Sequence, residues 1–385
     1  MDNTAEKVAE NFPVKLVIER SDLLKSLGRL QSIVEKRNTI PILSNIKLDA
    51  EGSTLKLTAT DMDIVAIEEV PAQIEQGGVL TVPAQTLYDI VRKLQEGAQI
   101  SIDTDVASGQ VIVKSGNSRF QISYLSADEF PVMSEGDMSH NFTISSGEFL
   151  NLINKSRFAM STEETRYYLN GVYLHVAENS GEEVLRAVAT DGHRLARIEA
   201  SLPAGASGMP GIIIPRKTVS ELGKLLEEQG DELQISLSDA KIRFACGNIV
   251  LLSKLVDGTF PDYDRVIPAA NEKILEVDTK SFTSIVDRVS TISTEKTRGV
   301  KLALEQGKLV ITAQSPEAGN AKDELDVTYS ADDVEIGFNS RYMLEMMSQI
   351  EGETTQFLLS DSNSPALVTD PSDVTSLYVI MPMRV

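Results

Sequence analysis

The sequence predicts an α+β protein of three similar domains, each made of two strand-helix-strand-strand-strand halves, and three observations predict it. The segment VLTVPAQTLYDIVRKLQEGAQISIDTD near residue 79 parallels GIIIPRKTVSELGKLLEEQGDELQISLSD near residue 212, with Pro83 on Pro215 and Phe130-Pro131 on Phe260-Pro261. A weaker copy, IGFNSRYMLEMMSQIEGETTQFLLSD, has Asn339 in place of the prolines and Met381-Pro382 in place of the Phe-Pro pairs. Upstream of each copy, TLKLTATDMD at 54–63, EVLRAVATDGHRLA at 183–196 and KLVITAQSPEAG at 308–319 take equivalent places. Each third also opens alike, with VKLVIERSDLLKSLGRLQSIVEKR, NFTISSGEFLNLINKSRF and KILEVDTKSFTSIVDRVSTI, a short strand followed by an amphipathic helix. Recurrence at a fixed period defines the architecture. It divides the chain into 1–140, 141–271 and 272–385, sizes that single cores favour, with residues 1–12 an acidic N-terminal extension.

Each element follows from local pattern. Strand, helix and three strands span Val14 to Glu68, and the same series spans Val79 to Tyr124. The helices show apolar residues at helical spacing: Leu23, Leu27, Leu30 and Val34; Leu87, Ile90, Val91 and Leu94; Val219, Leu222, Leu225 and Leu226; Phe282, Ile285, Val286 and Val289. One face of each helix must therefore pack on a sheet. Cys246 sits in the alternating strand Lys241 to Cys246 and reads as a buried structural thiol; as the lone cysteine it has no internal disulfide partner.

Composition excludes some classes. No apolar run among the 385 residues is long enough to span a bilayer. The N-terminus MDNTAEKVAENF is polar and acidic where a signal peptide is basic and then apolar, so a cytoplasmic protein is expected. The net charge is −21, yet the six helical stretches hold 16 Lys and Arg against 11 Asp and Glu. The helices are thus net +5 and the remainder −26, although the fourth and sixth contribute little. Solvated helix faces rich in good helix formers are the simpler explanation of that bias.

Two constellations invite an enzymatic reading: the Asp61 and Asp63 pair as a divalent-metal site, and Asp191-Gly192-His193 as an acid-base pair. The repeats argue against both. Thr60-Asp61 and Thr190-Asp191 occupy one slot, filled by Gln314-Ser315 in the third copy, so the slot reads as a turn capping a strand. The three histidines, His140, His175 and His193, lack zinc-ligand spacing, and no phosphate-binding or nucleophile-elbow motif is present. No catalysis, metal or cofactor is expected.

RNTIPILSNIKL, RYYLNGVYL, RAVATDGHRLA, FPDYDRVIP and the terminal YVIMPMRV, in this order and spacing, resemble the bacterial replicative sliding clamp family, the beta subunit of DNA polymerase III. The resemblance covers nearly the whole chain after Phe12. It implies the DNA clamp fold and a homodimer closed head to tail into a ring around duplex DNA, with helices lining the hole. It also implies a non-catalytic processivity factor that binds double-stranded DNA without sequence specificity. The implied partners are the polymerase III core, the clamp loader and other replication or repair proteins carrying a clamp-binding motif, with no membrane. A repeat-built peptide-binding scaffold that never encircles DNA is the alternative.

The resemblance also carries residue roles. Lys25, Arg29, Arg37, Arg92, Arg216, Lys217 and Lys224 fall on or beside the helices that would face DNA, and Tyr167 and Tyr168 follow a DNA-touching loop. Glu163 stands in that loop where family members commonly have glutamine. An apolar pocket for a Gln-Leu-x-Leu-Phe-like motif maps to Leu169, Thr190, Gly192, His193, Arg194, Leu195, Pro261, Arg265, Val266, Val379, Met381, Pro382, Met383, Arg384 and Val385. Asn363 and Pro365, before the last strand, depart from the family pattern. Phe120 and Ile292 match dimer-interface positions, with a core role the competing assignment for Phe120 because it lies in an alternating strand.

Overall fold

The computed structural model of the chain describes residues 13–35, 40–226, 232–293 and 298–384. Among them the expected half-repeat occurs six times. The helices α1 (Arg20–Leu30), α2 (Ala84–Lys93), α3 (Ser146–Arg157), α4 (Arg216–Leu226), α5 (Thr279–Ser290) and α6 (Ser340–Met347) each follow one strand and precede a three-stranded antiparallel meander. A short extra strand, Gln73–Gln76, comes before the second half.

The local patterns act as read. Leu23, Leu27 and Leu30 are buried along α1, and Phe282, Ile285, Val286 and Val289 along α5. Val34 is buried too, but beyond the end of α1: the helix stops at Leu30, where Ser32 Oγ donates to the Arg29 carbonyl and competes for the helical ladder. The slot held by Pro83 and Pro215 begins α6 differently. There the Asn339 side chain accepts from the Arg341 and Tyr342 amides, an N-cap, as Asp278 does for Ser281 at α5. The strand Lys241–Cys246 alternates in burial and turns Cys246 inward, its Sγ 3.7 Å from Ser146 Oγ.

Each helix joins two sheets. In every half the first strand pairs with the meander of the neighbouring half, so paired halves exchange their first strands. The described residues form two compact units. Of these residues, one unit takes those within 13–146 and 220–255, the other those within 147–219 and 256–384.

In the first unit a five-stranded sheet runs Gln73–Gln76, Lys15–Glu19, Gln99–Asp105, Gln110–Ser115, Ser118–Ser123. Its eight-stranded sheet runs His140–Ser145, Glu232–Leu237, Lys241–Cys246, Ile249–Lys254, Ile64–Pro71, Thr54–Thr60, Asn45–Glu51, Gly78–Pro83. The seam is the antiparallel pairing of Ile249 with Glu68 through Ser253 with Ile64.

In the second unit an eight-stranded sheet runs Ile212–Pro215, Gly171–Asn179, Glu182–Thr190, Arg194–Ser201, Asp373–Ile380, Ala366–Asp370, Thr354–Leu359, Lys273–Asp278. A four-stranded sheet runs Gly319–Asp326, Lys308–Ser315, Gly299–Glu305, Val334–Asn339. Strands from the middle third of the sequence thus complete sheets begun by the first third and by the last.

Two helix cations counted towards the basic excess are internal. Arg29, three residues after buried Ser26 and so on the inward side of α1, is 8% exposed and donates to the Glu68 carboxylate, 2% exposed, at 2.7 Å. Lys155 of α3 is buried against Asp373 at 2.9 Å. Burial would raise the Asp373 carboxyl, but hydrogen bonds from Thr375, Lys155 and Ser376 outweigh it and hold it well below the usual carboxylate range. Arg29→Ala is expected to destabilise the protein by about 3–5 kcal/mol, because it strands a buried carboxylate, whereas Arg29→Met with Glu68→Leu restores most of that loss. Urea unfolding of both variants checks this, and undiminished stability in Arg29→Ala would contradict it.

Candidate functional site: an apolar surface at a strand seam in the second unit

The site grows from one pairing. Arg194–Ile198 runs antiparallel to Ser376–Ile380, with Leu195 opposite Val379, and Thr190 flanks Leu195 on the other side. Leu169, Val188, Leu195, Ile213, Phe260, Tyr263 and Val379 pack as one buried cluster. Leu169, Thr190, Leu195 and Val379 are therefore floor rather than open surface. The exposed apolar positions beside it are Val266, at 48%, and Met381, at 40%. Pro261 is exposed, as is Arg265, whose Nε lies 2.7 Å from Asp262.

The Thr-Asp slot is a turn in both places. Thr190 Oγ1 donates to the Arg194 carbonyl and accepts from the Gly192 amide, while Asp191 Oδ1 accepts from the His193 and Arg194 amides. The same four bonds recur at Thr60, Asp61, Met62, Asp63 and Ile64. The third residue of this turn takes a positive φ, +80° at Met62 and +87° at Gly192. Glycine takes that conformation without strain at 192, where a Cβ would sit 2.9 Å from Arg166 Nη1 and oblige that side chain to shift. Both aspartates are committed to backbone amides, and Asp63 pairs with Lys254 at 2.9 Å. No group of three metal-ligating side chains occurs among the described residues.

Arg194 is internal, not a surface contact. Its guanidinium donates to Asp191 Oδ2 at 3.2 Å, to the Phe158 carbonyl at 2.6 Å and to Glu345, and lies over the Tyr342 and Phe158 rings at 4.3 and 5.0 Å. Burial would raise the Glu345 carboxyl, but hydrogen bonds from Arg341 and Arg194 hold it below its ordinary value. Phe158, Tyr342 and Glu345 escaped the sequence reading because only the folded chain brings them to Arg194.

The tail is held at two points. The Met381 amide donates to the His193 carbonyl at 2.8 Å and the Met383 amide to the Gly337 carbonyl at 2.9 Å. Pro382, Met383 and Arg384 also line a cavity of about 500 Å³ with Lys301, Glu335 and Asn363. Val385 and Arg37 lie outside the described residues.

The basic positions divide. Lys25 is exposed, Arg92 is exposed but paired with Asp89, and Lys224 is exposed and paired with Glu221. Lys217 is half-buried, and so is Arg216, which donates to the Met160 carbonyl at 2.7 Å. Arg29 must be struck from the DNA-facing set, since its charge is spent inside the first unit. Tyr167 is 55% exposed and meets Tyr168 edge-on, whereas Tyr168 packs towards the apolar cluster. Glu163 pairs with Arg166 at 3.2 Å. Phe120 and Ile292 are both half-buried, and Phe120 lies in the edge strand Ser118–Ser123.

Comparison with known proteins gives one family. Residues 14–134, 143–262 and 264–384 match the N-terminal, central and C-terminal domains of the DNA polymerase III beta subunit. The chain is 51% identical over 372 residues to the beta sliding clamp of Caulobacter vibrioides (97% of this chain, 100% of the relative). It is 39% identical over 374 residues to that of Escherichia coli K12 (96% and 100%). Among solved structures, the sliding clamp of Bartonella birtlesii bound to griselimycin superposes with a TM-score of 0.94 at 47% identity, covering 97% of this chain and 100% of that one. The Pseudomonas aeruginosa clamp bound to griselimycin gives 0.91 at 40%, covering 97% and 100%. The chain belongs to the DNA polymerase III beta subunit family, the beta sliding clamps.

Proposed function

We propose that two copies of this chain close head to tail into a ring around duplex DNA. The ring tethers the polymerase III core, the clamp loader and other replication or repair proteins through the surface at Val266 and Met381, beside the floor of Leu195 and Val379. The chain acts as a non-catalytic processivity factor in the cytoplasm, with no cofactor and three clamp domains at 1–140, 141–271 and 272–385. The observation that carries the reading is the seam itself: exposed Val266 and Met381 stand beside a buried apolar floor. A short peptide burying two or three apolar side chains there gains about 1.5–3 kcal/mol for each. Ordering the peptide offsets part of that gain, leaving exchangeable affinity near the micromolar range. Such affinity suits partners that take turns.

A chain at −21 repels DNA at long range, so a ring that holds DNA by topology is a better fit than a tight binder. Screening over about 8 Å lets exposed Lys25, Arg92 and Lys224, half-buried Arg216 and Lys217, and the Tyr167-Tyr168 pair set the local field without reading bases. Ring closure requires a heterologous contact made twice. The sheet-edge strands Ser118–Ser123 and Gly319–Asp326, with Phe120 and Ile292, are suited to it.

Negative-stain images and light scattering of the purified protein test the ring: a dimer with a central hole is expected, and a monomer without one leaves the peptide-binding scaffold as the better reading. Deleting Met381 to Val385 is expected to abolish binding of a Gln-Leu-x-Leu-Phe peptide in calorimetry while the dimer mass persists; unchanged affinity would remove the tail from the pocket. Ile292→Asp is expected to yield monomers by light scattering, and a persistent dimer would count against that interface.

A further inference from the structure

Behind the motif surface lies a polar chain whose middle members, Tyr263, Arg186 and Glu199, are buried and whose His175 is half-buried. The Tyr263 hydroxyl lies 2.9 Å from Arg186 Nη1 and 2.9 Å from His175 Nε2. Arg186 is buried and also donates to the buried carboxylate of Glu199, whose second oxygen accepts from Asn179 Nδ2 at 2.6 Å. His175 Nδ1 is 3.0 Å from the Val176 carbonyl oxygen, which can only accept, so Nδ1 carries the proton and Nε2 accepts from Tyr263. Every bond then has one direction: Arg186 donates to Tyr263, Tyr263 to His175, His175 to Val176. The rings support the same geometry. Tyr173 stacks on His175 at 4.5 Å and on Phe260 at 4.8 Å, and Tyr263 packs against both His175 and Phe260. Tyr263 opens the short helix Tyr263–Val266 that carries Arg265 and Val266.

We propose that His175, Arg186 and Glu199 are positioning residues for partner-motif binding: through the Tyr263 hydroxyl, neutral His175 fixes the helix that presents Arg265 and Val266. This deepens the pocket reading above and rests on it. Protonated His175 would turn Nε2 into a donor, leave the Tyr263 proton without its acceptor and set a second cation near Arg186. The groups facing the imidazole are Tyr173 and the Val176 carbonyl on its own strand, Arg186 on the neighbouring strand and Glu199 on the strand beyond it, and Tyr263 and Asp264 on the short helix. Burial, with Arg186 adding to it, lowers His175 from its ordinary value despite the Val176 carbonyl, Asp264 and Glu199. A histidine with a lowered value keeps its arrangement intact above about pH 6.5 and loses it as pH falls through the folded value. Motif affinity should follow.

Calorimetry of the full chain with acetylated, amidated Gln-Leu-Ser-Leu-Phe, which has no titrating group, tests this between pH 7.5 and pH 5. Wild-type affinity is expected to fall at least about threefold, because binding and proton uptake at His175 oppose each other. His175→Gln should flatten the profile, while His193→Gln, whatever its affinity at pH 7.5, should keep the decline. A flat wild-type profile, or an undiminished decline in His175→Gln, overturns the proposal. Tyr263→Phe keeps the ring and drops the hydroxyl, and covers a His175→Gln protein that does not fold. It should bind more weakly at pH 7.5 and lose pH dependence at unchanged dimer mass, and full affinity with a wild-type profile would likewise overturn the proposal. No binding by the wild type at pH 7.5 would instead bring down the pocket reading itself.

Discussion

The pairing of Arg194–Ile198 with Ser376–Ile380 is the contact on which the second unit depends. It turns two meanders into one eight-stranded sheet, and it sets Leu195 against Val379 to make the apolar floor. Because side chains alternate across a strand, a slip of one residue would turn Leu195 and Val379 to the other face and leave no floor. The same pairing delivers the chain end, so that Met381 leaves the sheet directly at the His193 carbonyl. Stability and the proposed binding surface therefore share one register. The first unit uses an equivalent seam, Ile249–Ser253 against Ile64–Glu68, where the recurring turn carries Met62 and Asp63 in place of Gly192 and His193.

Buried charge does a different job from exposed charge here. Arg29 with Glu68 and Arg186 with Glu199 are ion pairs taken out of water, and Lys155 with Asp373 is partly so. Such pairs add little net stability over apolar residues of similar size, yet breaking one is expensive, so they act as tests of correct packing. Arg194 extends the principle to the site. It ties a turn, a helix-end carbonyl and α6 together with one guanidinium, using charge-assisted bonds and two aromatic faces at once. Lysine could not make that set.

The acidic balance of the chain and the paired state of several helix cations point the same way. Arg92 and Lys224 each have a carboxylate within the same helix, which tempers their field without removing it. On the proposed reading, a surface tuned like this would hold phosphate loosely, and loose contact is compatible with sliding.

The sequence by itself determined the repeat, the six helices and the turn at Thr-Asp, because these depend on local periodicity and on side chains bonding their own backbone. It also marked Leu195, Val266, Val379 and Met381 as companions, though through resemblance rather than spacing. Only the tertiary structure decided that the middle third of the chain shares its sheets with both neighbours, that Arg29 and Lys155 point inward, and that Phe158, Tyr342 and Glu345 converge on Arg194. The reason is physical. Amphipathic spacing reports which residues avoid water, but the register between strands far apart in sequence, and the partner a charge finds inside, are set by packing that no local pattern encodes.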